Sequence, residues 1–168
     1  MGSLEDLVVL TMPQTFRAVG YLPTGAAGTP FDLAILLHDQ RRVRRRMLPL
    51  VHGDSVLVDF PEPITLADRS LLALDDGRLI EIIAGEEPLY EVRGRDPIHL
   101  MRLCWHLGNR HLKTQIEADR VLILRDHVIR DMLRGLGAIV SDVSEPFHPE
   151  EGAYSHSHGE PTHALLNR

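Results

Sequence analysis

A single cysteine, Cys104, in 168 residues excludes an intrachain disulfide and any zinc or iron–sulfur site built from several thiolates. No run of about 18 apolar residues occurs, so no membrane span is expected. The first residues lack a basic stretch followed by an apolar one, so no secretory signal is expected. Asp6 stands where N-myristoylation at Gly2 would need a hydroxyl residue. There is no phosphate-binding glycine loop, no Gly-x-Ser-x-Gly and no His-Glu-x-x-His helix. Basic charge is short as well: 18 Lys and Arg against 24 Asp and Glu leave a net charge of −6. That sign disfavours duplex nucleic acid as a partner. These absences predict a soluble, cytoplasmic protein that is not an enzyme.

The composition has 43% hydrophobic residues, enough for one or two small domains, and ten histidines, four of them in the last 21 residues. Such an excess has metal binding as one candidate cause. Charge is unevenly spread: residues 1–87 carry −5, residues 88–148 carry +1 and residues 149–168 carry −2. Arg41, Arg42, Arg44, Arg45 and Arg46 form a local basic run. In a strand, Arg42, Arg44 and Arg46 would share one face, with Arg41, Val43 and Arg45 on the other. This reads first as a solvated edge-strand face and second as a docking surface for an acidic protein. No aromatic residue lies within the run to stack on bases.

The first half has strand character. Leu7–Met12, Phe31–His38, Met47–Val51 and Ser55–Phe60 are short apolar or alternating runs, separated by clusters such as Pro23–Pro30 and Pro61-Glu62-Pro63. Leu71–Leu74, Asp75-Asp76-Gly77 and Leu79–Ile83 predict a hairpin, because Asp-Gly supports the positive φ of a tight turn. Residues 1–85 are therefore expected to form an all-β domain. Ala84-Gly85-Glu86-Glu87-Pro88 reads as a linker.

Beyond it, Leu89–Val92 predicts a strand, and Asp96-Pro97 opens a helix as N-cap and first helical residue. Leu100, Leu103 and Leu107 mark its buried face and His99, Arg102 and His106 its wet face. Gly108-Asn109 should end it. Strands follow at Thr114–Ile116 and Val121–Leu124. Asp126 caps a second helix with Val128, Ile129, Met132, Leu133 and Leu136 inward, closed by Gly135 and Gly137, and Ala138–Val143 is a last strand. Residues 88–148 thus predict a ferredoxin-like βαββαβ domain, giving an α+β protein overall. Residues 149–168 lack periodicity and are expected to be a disordered tail.

Among the histidines, His38 and His52 are expected in surface or turn roles and His99 and His106 on a solvated helix face. His111 follows Gly108-Asn109-Arg110, where a loop side chain projects from a rigid scaffold. Imidazole suits Ni²⁺, Cu²⁺ or Zn²⁺, but one imidazole makes no site. A two-fold axis near His111 would supply a second. His127 opens the second helix, and His156, His158 and His163 lie in the tail. Cys104 is expected to be buried.

The stretch Cys104-Trp105-His106-Leu107-Gly108-Asn109-Arg110-His111 is similar to the hallmark of the urease accessory protein E family, the urease nickel metallochaperones. Asp126-His127-Val128-Ile129 with Met132-Leu133 and Leu136-Gly137 resembles the family's second helix. Phe147-His148-Pro149-Glu150-Glu151-Gly152-Ala153-Tyr154, followed by histidines, resembles its pre-tail segment. His38-Asp39-Gln40-Arg41 and Leu74-Asp75-Asp76-Gly77-Arg78 fit less specifically. The resemblance implies an N-terminal β domain that docks partner proteins and a ferredoxin-like metal-binding domain through which two copies pair, with pairing of dimers left open. It implies that His111 is the interface nickel ligand and His127 a second metal-binding histidine. Arg125 replaces a histidine found in some members, and the tail's three histidines after Tyr154 are fewer than some relatives carry. Tail histidines His156, His158 and His163 would complete the ligand shell. The implied function is delivery of Ni²⁺, with Zn²⁺ or Cu²⁺ able to substitute, through the urease accessory GTPase (accessory protein G) to apo-urease. The alternative is an interaction or folding-assistance module of the urease maturation complex with incidental metal binding. A metal-dependent hydrolase fits less well, because it needs a carboxylate base beside an open metal position, and a site at a dimer axis completed by a flexible tail is poorly suited to that.

Overall fold

The computed structural model describes residues 12–151, so the tail histidines and all of the expected strand Leu7–Met12 except Met12 lie outside the described residues. The chain separates into two compact units. One contains the residues up to Pro88 together with Ser144–Phe147, the other Leu89–Val143 with the residues from His148 onward.

The first unit holds β1 (Thr15–Leu22), β2 (Asp32–Leu36), β3 (Arg42–Pro49), β4 (Ser55–Thr65), β5 (Leu71–Leu74) and β6 (Leu79–Ala84) in one sheet of order β2-β6-β5-β1-β4-β3. β1 runs parallel to β4 and β2 parallel to β6, while the other pairs are antiparallel. Alternate residues turn inward, so Ala34, Leu36, Leu48, Val56, Val58, Leu72, Ile80 and Ile82 form a dry core. The larger of these each contribute about 1.5–3 kcal/mol by leaving water. The hairpin forms where expected, with Gly77 at φ +85°.

Three sequence expectations change in this unit. Strand β1 has no counterpart among the expected runs. Strand β4 continues through Pro61-Glu62-Pro63, because Val43 pairs with Ile64 but Arg45 with Asp59, so residues 60–63 bulge away where no ladder N–H is needed. The same shift divides the arginines. Arg42, Arg44, Arg45 and Arg46 are nonetheless all exposed on the edge strand, as expected, and Arg45 pairs with Asp59 at 2.9 Å. Arg41 is buried, and its guanidinium donates to the carbonyl of Phe147. Burial pulls Arg41 below the usual arginine value, opposed by the nearby Asp68 and Glu87 carboxylates.

The expected linker is the start of a strand, β7 (Glu86–Arg93). Glu87 is buried there, and its carboxylate is satisfied: it accepts the His38 backbone N–H and meets His38 Nδ1, both at 2.7 Å. His38 is in a turn, as expected, but its side chain is mostly covered, with its ring edge-on to Phe147.

After β7 come α1 (Pro97–Gly108), β8 (Thr114–Ile116), β9 (Val121–Leu124), α2 (His127–Gly135) and β10 (Ile139–Pro146), with sheet order β10-β7-β9-β8. The protein is α+β. Asp96 caps α1 by accepting the His99 N–H at 2.8 Å, and Asp126 caps α2 by accepting from Val128 and Ile129. Leu100, Leu103, Leu107, Val121, Ile123 and Leu133 build the core of this unit. Val128, expected inward, is 61% exposed. No helix among the described residues is long and apolar enough to cross a membrane.

Candidate metal centre

The turn after α1 sets the position of His111. Gly108 and Asn109 do not end the helix in left-handed geometry: Asn109 is right-handed at φ −62°. The left-handed residue is His111, at φ +55°. Its N–H donates to the Gly108 carbonyl at 2.9 Å, and the Leu112 N–H reaches back to the Leu107 carbonyl at 3.3 Å. This pair of bonds is the Schellman closure of a helix, in which the left-handed site is ordinarily glycine. At the end of α2 the same two bonds occur, Gly137 to Arg134 and Ala138 to Leu133, and there the left-handed residue is a glycine. A histidine in this geometry costs about 1 kcal/mol. Strain of this kind, held by its surroundings, is a pointer to function.

His111 is exposed and forms part of the wall of a cleft of about 270 Å³ lined also by Leu112, Lys113, Ile123, Leu124, Arg125, Asp126 and Ile129. His127, the residue after Asp126, is exposed at the start of α2. Asp126 Oδ1 is occupied by capping. Arg125 is no substitute ligand. Its guanidinium bonds the carbonyls of Leu89 (3.2 Å) and Val143 (3.1 Å) and pairs with Asp142, bracketing β7 and β10. Among the described residues no three His, Cys, Asp or Glu side chains come together as a ligand set. His156, His158 and His163 lie outside the described residues.

The remaining histidines are engaged elsewhere. His99, expected on the wet face, is 7% exposed. Its Nδ1 accepts the Arg95 N–H at 3.0 Å, so Nε2 carries the hydrogen and donates to the Leu136 carbonyl at 2.9 Å. Both nitrogens are used and neither is open to a metal. His52 places Nδ1 on the buried Asp32 at 2.7 Å, and His106 stands edge-on to Trp105. Cys104 is half-buried, and burial raises its thiol above the ordinary value, which disfavours the thiolate a metal would need. Sequence reasoning missed Gln115, whose side chain holds the backbone of His148 at 2.7 Å; a glutamine in a short strand carries no signal of such a role.

Residues 87–166 match the family described as UreE urease accessory protein, C-terminal domain. The chain is 56% identical over 144 residues to the urease accessory protein UreE of Mesorhizobium japonicum, across 84% of this chain and 74% of that protein. It is 53% identical over 148 residues to the protein of the same name from Rhizobium rhizogenes, covering 88% of each. The Agrobacterium fabrum protein is 50% identical over 148 residues, across 88% of this chain and 91% of its own length. An α+β chain with this extent of likeness falls among the urease accessory proteins. It belongs to the UreE family.

Proposed function

We propose that the protein is a nickel metallochaperone of urease maturation, which binds Ni²⁺ as cargo and delivers it for assembly of the urease active site through the urease accessory GTPase. The observation that carries this reading is the exposed His111 in a strained left-handed turn where the companion helix uses glycine. An imidazole kept there at a cost in stability is doing something other than closing the helix.

In this reading the second unit, with its ferredoxin-like element order, binds the metal and pairs two copies of the chain, and the first unit docks partners. His111 from each copy provides two ligands, and His127 with the tail histidines His156, His158 and His163 supplies the rest. A second copy is supported by an apolar stripe on α1, where Ile98 (55%), Met101 (59%) and Trp105 (66%) are exposed at helical spacing. An all-imidazole shell accepts Ni²⁺, Zn²⁺ and Cu²⁺, and lacks the thiolate that would hold them harder. Ligands carried on a chain terminus can be replaced one at a time, which suits hand-over to the next protein.

Nickel calorimetry on His111→Asn and on a chain truncated after Tyr154 tests the assignment. Asparagine tolerates the left-handed turn, so the first variant removes the imidazole without disturbing the fold. Each should bind Ni²⁺ at least about tenfold more weakly, since even changes outside the ligand shell cost that much. Unchanged affinity in both would overturn the site. Equal complex formation with the GTPase in chelator and in nickel would favour the second reading, an interaction module with incidental metal. That reading draws on the lack of a complete ligand set among the described residues.

A further inference from the structure

Five of the eight arginines among residues 1–87 gather at one end of the first unit's sheet, Arg17 on β1 and Arg42, Arg44, Arg45 and Arg46 on β3. All five are exposed. The other three are engaged: Arg41 is buried, Arg69 pairs with Glu81 at 3.5 Å and Arg78 with Asp76 at 2.6 Å. Residues 1–87 carry −5 overall, so this is a basic patch on an acidic half.

The register shows what stands between the charges. Phe16 and Ala18 turn into the core, so Arg17 and Val19 face outward. Arg17 stands beside Leu57 on β4, and Leu57 beside Met47 on β3. Two residues further along each strand come Val19, Asp59 and Arg45. Val19 is 60% exposed and Met47 48%. The Arg45 hydrogen bond, then the charges of Arg45, Arg17 and Arg44, hold the Asp59 carboxyl below its ordinary value. One carboxylate thus faces three guanidinium groups, and the patch keeps a surplus of positive charge. Edge protection accounts for the arginines of β3, the last strand of the sheet. It does not account for Arg17 and Val19, because β1 is flanked on both sides by β5 and β4. Nor does it account for uncovered apolar side chains set among the charges, an arrangement typical of a docking surface.

We infer that this outward face of β1, β4 and β3 docks an acidic protein segment that interleaves carboxylates with apolar side chains. The inference rests on the reading above that the first unit docks partners, and it names the face and the chemistry selected. Carboxylates would meet Arg17 and Arg44, which form no ion pair of their own among the described residues. Apolar side chains would cover Val19, Leu57 and Met47. Outward residues recur about every 7 Å along a strand, the interval at which an extended segment presents side chains on one face. Nucleic acid fits less well, since neither row offers an aromatic ring to stack on bases.

The test is a binding titration of the full chain against purified urease accessory GTPase and, separately, purified apo-urease, with Ni²⁺ present, at low and at high salt. Arg17→Gln combined with Arg44→Gln should weaken binding to one of the two about tenfold at low salt, and by less as salt rises. Val19→Thr keeps the side chain's shape and should weaken binding about threefold at either salt, because the lost contact is apolar. Arg69→Gln removes a charge elsewhere in the same unit and should leave binding unchanged. A parent that binds a partner no more tightly than both face variants would overturn this face and leave the docking reading standing. Either loss without the other would overturn the mixed acidic and apolar chemistry. A loss as large in Arg69→Gln would overturn the face as well, by showing a response to net charge alone. Binding of duplex DNA through Arg17 and Arg44, in place of either protein, would assign the face to nucleic acid and overturn the inference. No binding of the parent to either protein would overturn the docking reading and this inference with it.

Discussion

His111 and Gly137 hold the same position at the ends of the two helices of the second unit, each the left-handed residue of a Schellman closure, at φ +55° and +84°. One is a glycine, at no steric cost, and the other an imidazole. The molecule thus contains its own control for what the turn requires.

Replacing His111 by glycine should therefore stabilise the protein by about 1 kcal/mol, relieving the left-handed side chain. It should also abolish the imidazole's share of nickel binding. Thermal or denaturant unfolding without metal measures the first effect, and a nickel titration the second. Loss of stability on this substitution would show that the His111 ring makes packing contacts that outweigh the strain.

The exposed stripe on α1 carries a second prediction. Met101→Arg or Trp105→Arg leaves the core untouched, because both side chains face solvent. If α1 pairs two copies, either change should raise the monomer–dimer dissociation constant by about thirtyfold or more, as central aromatic and apolar anchors do. Sedimentation measures this directly. Trp105 is the chain's one tryptophan, so in Met101→Arg its emission should shift to the red as the dimer dissociates. Dimers unaffected by both substitutions would remove this face from the interface.

A third prediction concerns pH. Glu91 is mostly buried and accepts hydrogen bonds from Arg93 and Arg120, which hold its carboxyl below the ordinary value of 4.5. A depressed carboxyl pKa stabilises the fold above the unfolded value, and that stability is lost as pH falls through the folded one. Glu91→Gln should cost about 1–2 kcal/mol at pH 7 and less as pH falls below 4.5 and through the folded-state value, so the two stability curves converge in acid. A constant offset across that range would mean the loss is one of packing.

Much of this architecture was legible from the sequence, and the pattern of misses is physical. Asp75-Asp76-Gly77 and Asp96-Pro97 announce their turn and helix because the chemistry is local. Strand β1 escaped because its inward residues include Ala18 and Gly20, which give little hydrophobic contrast with their neighbours. Glu87 and His38 sit 49 residues apart, and a sequence cannot show that one buries the other. The spacing of His99 with Arg102 and His106 points to a wet face, yet its partner carbonyl is Leu136, 37 residues on. At the candidate centre, Gly-Asn-Arg-His marked His111 correctly as a projecting residue. Its left-handed backbone, and the tie from Gln115 to His148, needed coordinates.

Phe147 has no exposed surface and packs against His38, although it comes 59 residues after the Pro88 boundary of its own unit. The first unit is therefore not a contiguous cassette. A fragment ending at Pro88 would leave a phenylalanine-sized void and deprive the Arg41 guanidinium of the Phe147 carbonyl. Domain swaps between relatives, or dissection by limited proteolysis, should be drawn around the returning strand end as well as the first 88 residues.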